Sequence, residues 1–169
     1  KMVFSAEKIP FEKESLSAIV MLNVFHHIPK PYFFLKEAQR VLAKGGKIIM
    51  TEPGNSFWGR FIYKNFHHEP FDEKGGWEIV STGPLSCSNQ ALPYIYFERD
   101  RAKFENQFPR LKIVKLRYHT PIRYIVSGGL SRPALLPAWS FGFFKGFEQL
   151  LSPFSKQLGL FETIVLVKL

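Results

Sequence analysis

Cysteine is nearly missing from this 169-residue chain: Cys87 stands alone, so no internal disulfide can form. A reducing, cytoplasmic compartment is therefore expected. Long apolar runs are missing too. The longest nearly uncharged stretch, Tyr124–Phe144, is interrupted by Arg132, Pro133 and Pro137, which makes it a poor membrane span. Acidic residues are few, 14 against 23 basic ones, for a formal net charge of +9. The basic residues are scattered, and no aromatic–basic interleaving points to nucleic acid. Double glycines occur at Gly45-Gly46, Gly75-Gly76 and Gly128-Gly129, and none both follows a strand and opens a helix, as a phosphate-cradling loop must. Neither HxxxH nor CxxC spacing is present, so no metal site is expected.

What remains is enough for one domain or most of one, with 46% apolar residues and 18 phenylalanines, many in the second half. The stretch Ala18–Thr51 organises it. Ala18–Val24 is apolar throughout except for Asn23, which suits a parallel strand covered on both faces. Pro29 and Pro31 restart the chain, and proline fits the first turn of a helix because no donor is needed there. Phe34, Leu35, Ala38, Val41 and Leu42 follow at helical spacing. Gly45-Gly46 then supplies a left-handed helix stop, and Lys47–Thr51 resumes as a strand. Strand, helix, strand at this spacing predicts a right-handed crossover within a parallel sheet.

Downstream, Gly54–Pro93 is rich in Gly, Pro, Ser and aromatics, with a short helix expected over Trp58–Phe66 and a loop over Pro84–Pro93. Glu98–Phe108 predicts a helix stopped by Pro109, and Leu111–Tyr118 a strand with one wet face. Phe143, Phe144, Phe147, Leu150 and Leu151 fall at helical spacing, although Gly142 and Gly146 each weaken such a helix by about 1 kcal/mol relative to alanine. The aromatic segment Trp139–Phe154 is expected to be core or a lid on a cleft, with peripheral contact to a membrane surface as the alternative. Leu160–Leu169 reads as a final strand.

SAEKIPFEKESLSAIVMLNVFHHI followed by FLKEAQRVLAKGGKIIMTEP resembles the second half of a class I S-adenosylmethionine-dependent methyltransferase. The resemblance covers roughly Val3–Pro53 and implies an α/β, Rossmann-like sheet of parallel strands with a reversed last strand. On that pattern Ala18–Val24 and Lys47–Thr51 are adjacent and parallel, Leu111–Tyr118 comes next, and Leu160–Lys168 is inserted antiparallel. A layout follows: core half 1–53, insertion 54–97, core helix and strand 98–120, aromatic-rich insertion 121–159, last strand 160–169. The family's glycine-rich loop and ribose-binding carboxylate have no counterpart here. The chain is therefore expected to be the carboxyl-terminal part of a longer protein, holding half a cofactor site and inactive alone.

For the cofactor, S-adenosylmethionine, the resemblance implicates Ser5 (or Glu7 with a shifted loop), Ala6, Asn23, Val24 and His26. Ser5 stands where the family has an acidic residue, and Ser17 where it has an aspartate. Methyl transfer needs orientation and electrostatics, plus a base only when the acceptor must lose a proton. His27 and His68 are the candidates for that base. Side-chain alternation in an extended segment places His27 with Asn23 toward the cleft and gives His26 to packing. His67-His68-Glu69 reads as a loop touching the acceptor. His67–Arg101 resembles bacterial members of the family, and the acceptor expected is a small molecule or a lipid- or sugar-linked one. The alternative is a non-catalytic methyltransferase-like domain that works through protein partners.

Overall fold

In the computed structural model, described over residues 2–79, 88–129 and 133–169, the expected crossover is present. Strand β1 (Leu16–Leu22), helix α1 (Pro31–Val41) and strand β2 (Leu42–Pro53) follow in order, with β1 and β2 parallel and Leu22 opposite Thr51. The glycine pair has a different job from the one expected. Helix α1 ends at Val41 and the chain is already extended at Leu42. Gly45 and Gly46 lie inside β2, at an irregularity where the register jumps from Leu16–Leu42 to Ala18–Lys47. Gly45 has φ +78°, a conformation that costs little only without a Cβ, and a Cβ on Gly46 would stand 2.8 Å from the Ala43 carbonyl oxygen.

Strand β3 (Leu111–His119) and strand β4 (Phe161–Lys168) complete a four-stranded sheet in the order β1-β2-β4-β3. Strand β4 is antiparallel to both neighbours, as the reversed last strand requires. One face is closed: Met21, Ile48, Met50, Ile113, Ile164 and Leu166 pack into the core. The other is not, which corrects the reading of β1 as covered on both sides. Val20 is 73% exposed and Leu22 68%, and β1 is an edge strand among the described residues.

Helix α2 (Phe57–Phe66) starts where Ser56 Oγ accepts from the Gly59 amide at 2.7 Å. In place of one helix over Glu98–Phe108 there is a continuous helical run. It comprises α3 (Leu92–Tyr94), a π-turn (Ile95–Arg99) and α4 (Arg101–Gln107). Leu92 thus opens a helix where a loop was expected, while Pro84–Cys87 of that loop lies outside the described residues, as do Leu130 and Arg132. The π-turn brings Ile95, Tyr96 and Phe97 to the core side, where Phe25 meets the Tyr96 ring edge-on at 5.4 Å.

The segment after β3 holds α5 (Arg123–Val126), a 3₁₀ turn (Ala138–Ser140), α6 (Phe141–Leu150), a second 3₁₀ turn (Ser152–Phe154) and α7 (Ser155–Leu158). Its aromatic stripe is not core. Trp139 is 84% exposed and Phe143 71%, and the one buried residue of α6 is Glu148. Glu148 Oε1 accepts from the amides of Ile122 (2.8 Å) and Arg123 (2.7 Å), and its carboxylate pairs with the Arg123 guanidinium. Among the described residues no helix is long and apolar enough to cross a membrane.

Candidate functional site

Ligands of open parallel sheets bind beyond the carboxyl ends of the strands, and there the polar side chains of this chain converge. β1 ends at Asn23, whose φ of +51° turns the chain out of the sheet. A 3₁₀ turn, Phe25–His27, follows at once. That turn overrides the alternation expected of an extended segment. His26 and His27 stand side by side with ring centroids 4.2 Å apart, and both face the same carboxylate, Glu69.

Glu52, at the end of β2, holds the turn in place. Its Oε1 accepts from the Val24 (3.0 Å) and Phe25 (2.9 Å) amides, and its Oε2 lies 2.6 Å from His26 Nδ1. Glu52 is wholly buried, and a buried carboxylate survives only when its oxygens are met in this way. From the other side comes Glu69, its Oε2 accepting from Gln90 Nε2 at 3.1 Å. His26 Nε2 is 3.4 Å from Glu69 Oε2; His27 Nε2 and His68 Nε2 are 3.6 and 3.7 Å from Glu69 Oε1. His67 Nδ1 accepts from the Glu69 amide at 3.2 Å and from Gln90.

The charges respond to this packing. Burial works against the His26 cation, yet Glu52 and Glu69 outweigh it and the His26 pKa is raised. Glu69 is held down to about 2, chiefly by His26 and against its own partial burial, with Gln90 assisting. His67 goes the other way: burial lowers it, and the neighbouring histidines add to the fall.

The sequence-predicted residues divide into two groups. Asn23, His26, His27 and His68 line a cavity of about 200 Å³ together with Tyr63, Glu69, Gln90, Tyr124 and Phe161. Ala6 and Val24 instead line an apolar groove of about 420 Å³ with Ile9, Phe11, Val20 and Phe34. Ser5 and Glu7 form a local turn there, Ser5 Oγ accepting from the Glu7 amide at 3.2 Å. The cofactor candidates are therefore not brought to one pocket. Glu52 and Gln90 were missed by sequence reasoning. For Glu52 a signal existed, a lone carboxylate ending an apolar strand; for Gln90 none did.

The polar cavity opens further along the sheet. A groove of about 380 Å³ shares Asn23, Tyr124 and Phe161 with it and adds Thr51, His119 and Arg123. That groove in turn shares Arg123, Ser127 and Phe141 with an apolar hollow of about 450 Å³ beside α6. Polar cluster, groove and apolar hollow thus adjoin one another through shared lining residues.

A crossover unit, a reversed last strand and a polar cluster at the strand ends define the class: this is the fold of the class I S-adenosylmethionine-dependent methyltransferases. Residues 1–50 match the profile of a family described as a methyltransferase domain. Among solved structures, the chain is similar to the methyltransferase bound to the Trm112 activator of Haloferax volcanii, at 12% identity and TM-score 0.55 over 99% of this chain and 60% of that one. It is also similar to an S-adenosylmethionine-dependent methyltransferase of Thermotoga maritima described as a possible histamine N-methyltransferase. There the identity is 20% and the TM-score 0.52, over 97% of this chain and 61% of that one. The [4+2]-cyclase SpnF matches at 14% identity and TM-score 0.52, over 99% of this chain and 56% of that one. No curated protein sequence matches the chain. This chain thus spans less than two thirds of each of these three structures. A cyclase among them illustrates that fold alone does not name a reaction.

Proposed function

We propose that this chain carries the acceptor-facing part of an S-adenosylmethionine-dependent methyltransferase, and that its acceptor is an amphiphilic, lipid-linked molecule. The observation that carries the reading is the series of adjoining pockets, from the histidine–carboxylate cluster to the groove and from the groove to the apolar hollow at α6. A polar head at His27 and His68 with an apolar tail along Phe141 and Phe144 matches that gradient. The exposed Trp139, Phe143 and Leu150, beside Lys145, fit peripheral docking on an anionic lipid surface, where such an acceptor would be found.

In this reading His27 and His68 accept the acceptor's proton while Glu69 orients them, Ser5, Ala6, Glu7 and Val24 belong to the cofactor side, and Asn23 and His26 line the cavity where cofactor and acceptor would meet. Attack on a sulfonium methyl needs nucleophile, carbon and sulfur in line, so most of the catalysis is positioning. The test is transfer of labelled methyl from S-adenosylmethionine to lipid extracts and to water-soluble sugars by the protein containing this chain. His27→Ala should lower turnover by roughly 10²–10⁴ if the imidazole takes the proton, with cofactor affinity little changed. Transfer only to water-soluble acceptors would overturn the amphiphilic assignment, and no transfer to any acceptor would overturn the enzyme.

A further inference from the structure

The spacing of Glu69 from its histidines is odd for hydrogen bonds. Separations of 3.4 Å to His26 Nε2 and 3.6 Å to His27 Nε2 are long for N–H···O contacts, whose usual value is about 2.9–3.0 Å. They are close to what two donors on one ion would show. With metal–nitrogen and metal–oxygen bonds of about 2.0–2.1 Å in a tetrahedron, neighbouring donors lie about 3.3 Å apart.

We infer that His26 Nε2, His27 Nε2 and a Glu69 carboxylate oxygen form a binding site for one divalent transition-metal ion, with zinc as the reference case. One donor atom from each of the three residues lies within 4.8 Å of the others, with His26 nearest Oε2 and His27 nearest Oε1 of the carboxylate. Two imidazoles and a carboxylate suit zinc or iron better than calcium or magnesium, which take oxygen. The surroundings are built for such an ion. His26 is 3% exposed and has its Nδ1 against Glu52, the carboxylate–histidine pairing that orients a ligand and leaves the Nε2 lone pair outward. Glu52 is itself fixed by two backbone amides, and Gln90 fixes Glu69. The Asn89 amide donates to the His26 carbonyl and the Gln90 amide to the Pro70 carbonyl, which ties the two ligand-bearing segments together. A second trio, His67, His68 and Glu69, is as compact. It is the weaker candidate, since His67 Nδ1 is already taken by the Glu69 amide and Gln90.

Sequence spacing does not show this site, because its ligands come from two segments more than forty positions apart, and because adjacent histidines converge here only through the 3₁₀ turn. The open side of the ion faces the cavity shared with Asn23, Tyr124 and Phe161. There it would bind an acceptor oxygen and ease loss of its proton; with the ion bound, His27 serves as a ligand in place of the base role given it above, and His68 alone takes the proton. That role rests on the methyl-transfer reading. Binding of the ion does not.

The experiment uses the purified protein, dialysed against a chelator and titrated with Zn²⁺ by calorimetry, with Co²⁺ absorption as a second readout. One ion per chain is expected. His27→Ala and Glu69→Gln should each weaken binding at least tenfold. Glu52→Gln, which touches no ion, should weaken it about 10–100-fold by disorienting His26. His119→Ala, whose ring nitrogens bond to Thr120 and Thr163 in the parent, should bind as the parent does. His26→Ala removes a buried ring and is read only alongside its thermal melt; His27 and Glu69 are exposed enough to vary without that difficulty. No binding above that of the His27→Ala, Glu69→Gln double variant overturns the proposal, as does binding kept in full by His27→Ala. A protein that binds the ion and transfers no methyl group leaves this site standing and removes only its assigned role.

Discussion

Helices α1 and α6 are alike on paper and opposite in fact. They have 11 and 10 residues and both carry phenylalanines at helical spacing. In α1 the apolar stripe is inside: Phe34, Leu35, Ala38 and Val41 are all buried. In α6 Phe141, Phe143, Phe147 and Leu150 are exposed, and the residue turned inward is Glu148. Periodicity says that a helix has an apolar side. Which side faces in depends on what lies opposite. α1 packs on the closed face of the sheet, whereas α6 finds two free amides and a guanidinium at α5, which a carboxylate satisfies and a phenyl ring cannot.

The sharpest way to break this contrast is a matched pair of truncations. Leu35→Ala should cost about 2–5 kcal/mol in urea unfolding, as for other fully buried leucines. Leu150→Ala should cost less than about 0.5 kcal/mol. Equal losses would mean that α6 is packed after all. Next in size, Glu148→Ala leaves the Ile122 and Arg123 amides without their acceptor, at about 1–3 kcal/mol. Hydrogen exchange should show that opening confined to α5 and α6, with the sheet unaffected.

A smaller effect of opposite sign is expected at Glu162. This carboxyl is wholly buried, and its pKa is raised by burial and by the nearby charges of Glu98 and Glu52. The folded protein therefore keeps a proton that the unfolded chain gives up above the ordinary carboxylate range, so stability falls as pH rises past that range. Glu162→Gln should raise the Tm at pH 7–8 by about 2–4 °C for each kcal/mol recovered, and change little at pH 4. A Tm gain equal at both pH values would show that the acid is not being held protonated. Smallest in stability is Phe143→Ala, within about 0.5 kcal/mol of the parent. Its cosedimentation with phosphatidylglycerol vesicles should nonetheless drop, and unchanged sedimentation would sink the docking role of α6.

The β1–α1–β2 unit and the helix at Trp58–Phe66 were legible because each rests on local patterning, whereas the insertion of β4 came from the resemblance to the methyltransferases. Val41 as the end of α1 was not, since Leu42 is apolar in helix and strand alike and Gly45-Gly46 suits either a helix stop or a strand irregularity. His27 was expected in a cleft with Asn23, and the cavity that those two line also takes in His26. The reasoning that separated His27 from His26 failed because Glu52 rolls the backbone into a 3₁₀ turn. Nothing within Asn23–His27 announces a carboxylate twenty-five positions away. Ala6 and Val24 were expected beside His26, and α1 with β1 separates them into a groove of their own.

The open side of β1 has a consequence for these 169 residues handled by themselves. An edge strand carries a row of amide and carbonyl groups with no partner, and proteins commonly blunt such rows with lysine, proline or a twist. Leu16–Leu22 reads LSAIVML, without a charge or a proline, and Val20 and Leu22 point outward from it. It is a template for another strand. Concentrated solutions of this chain should associate edge to edge, by light scattering that grows with concentration and is insensitive to salt. A single lysine at Val20 should disperse them, since a like charge facing its own copy across a new ladder opposes the pairing that backbone hydrogen bonds invite.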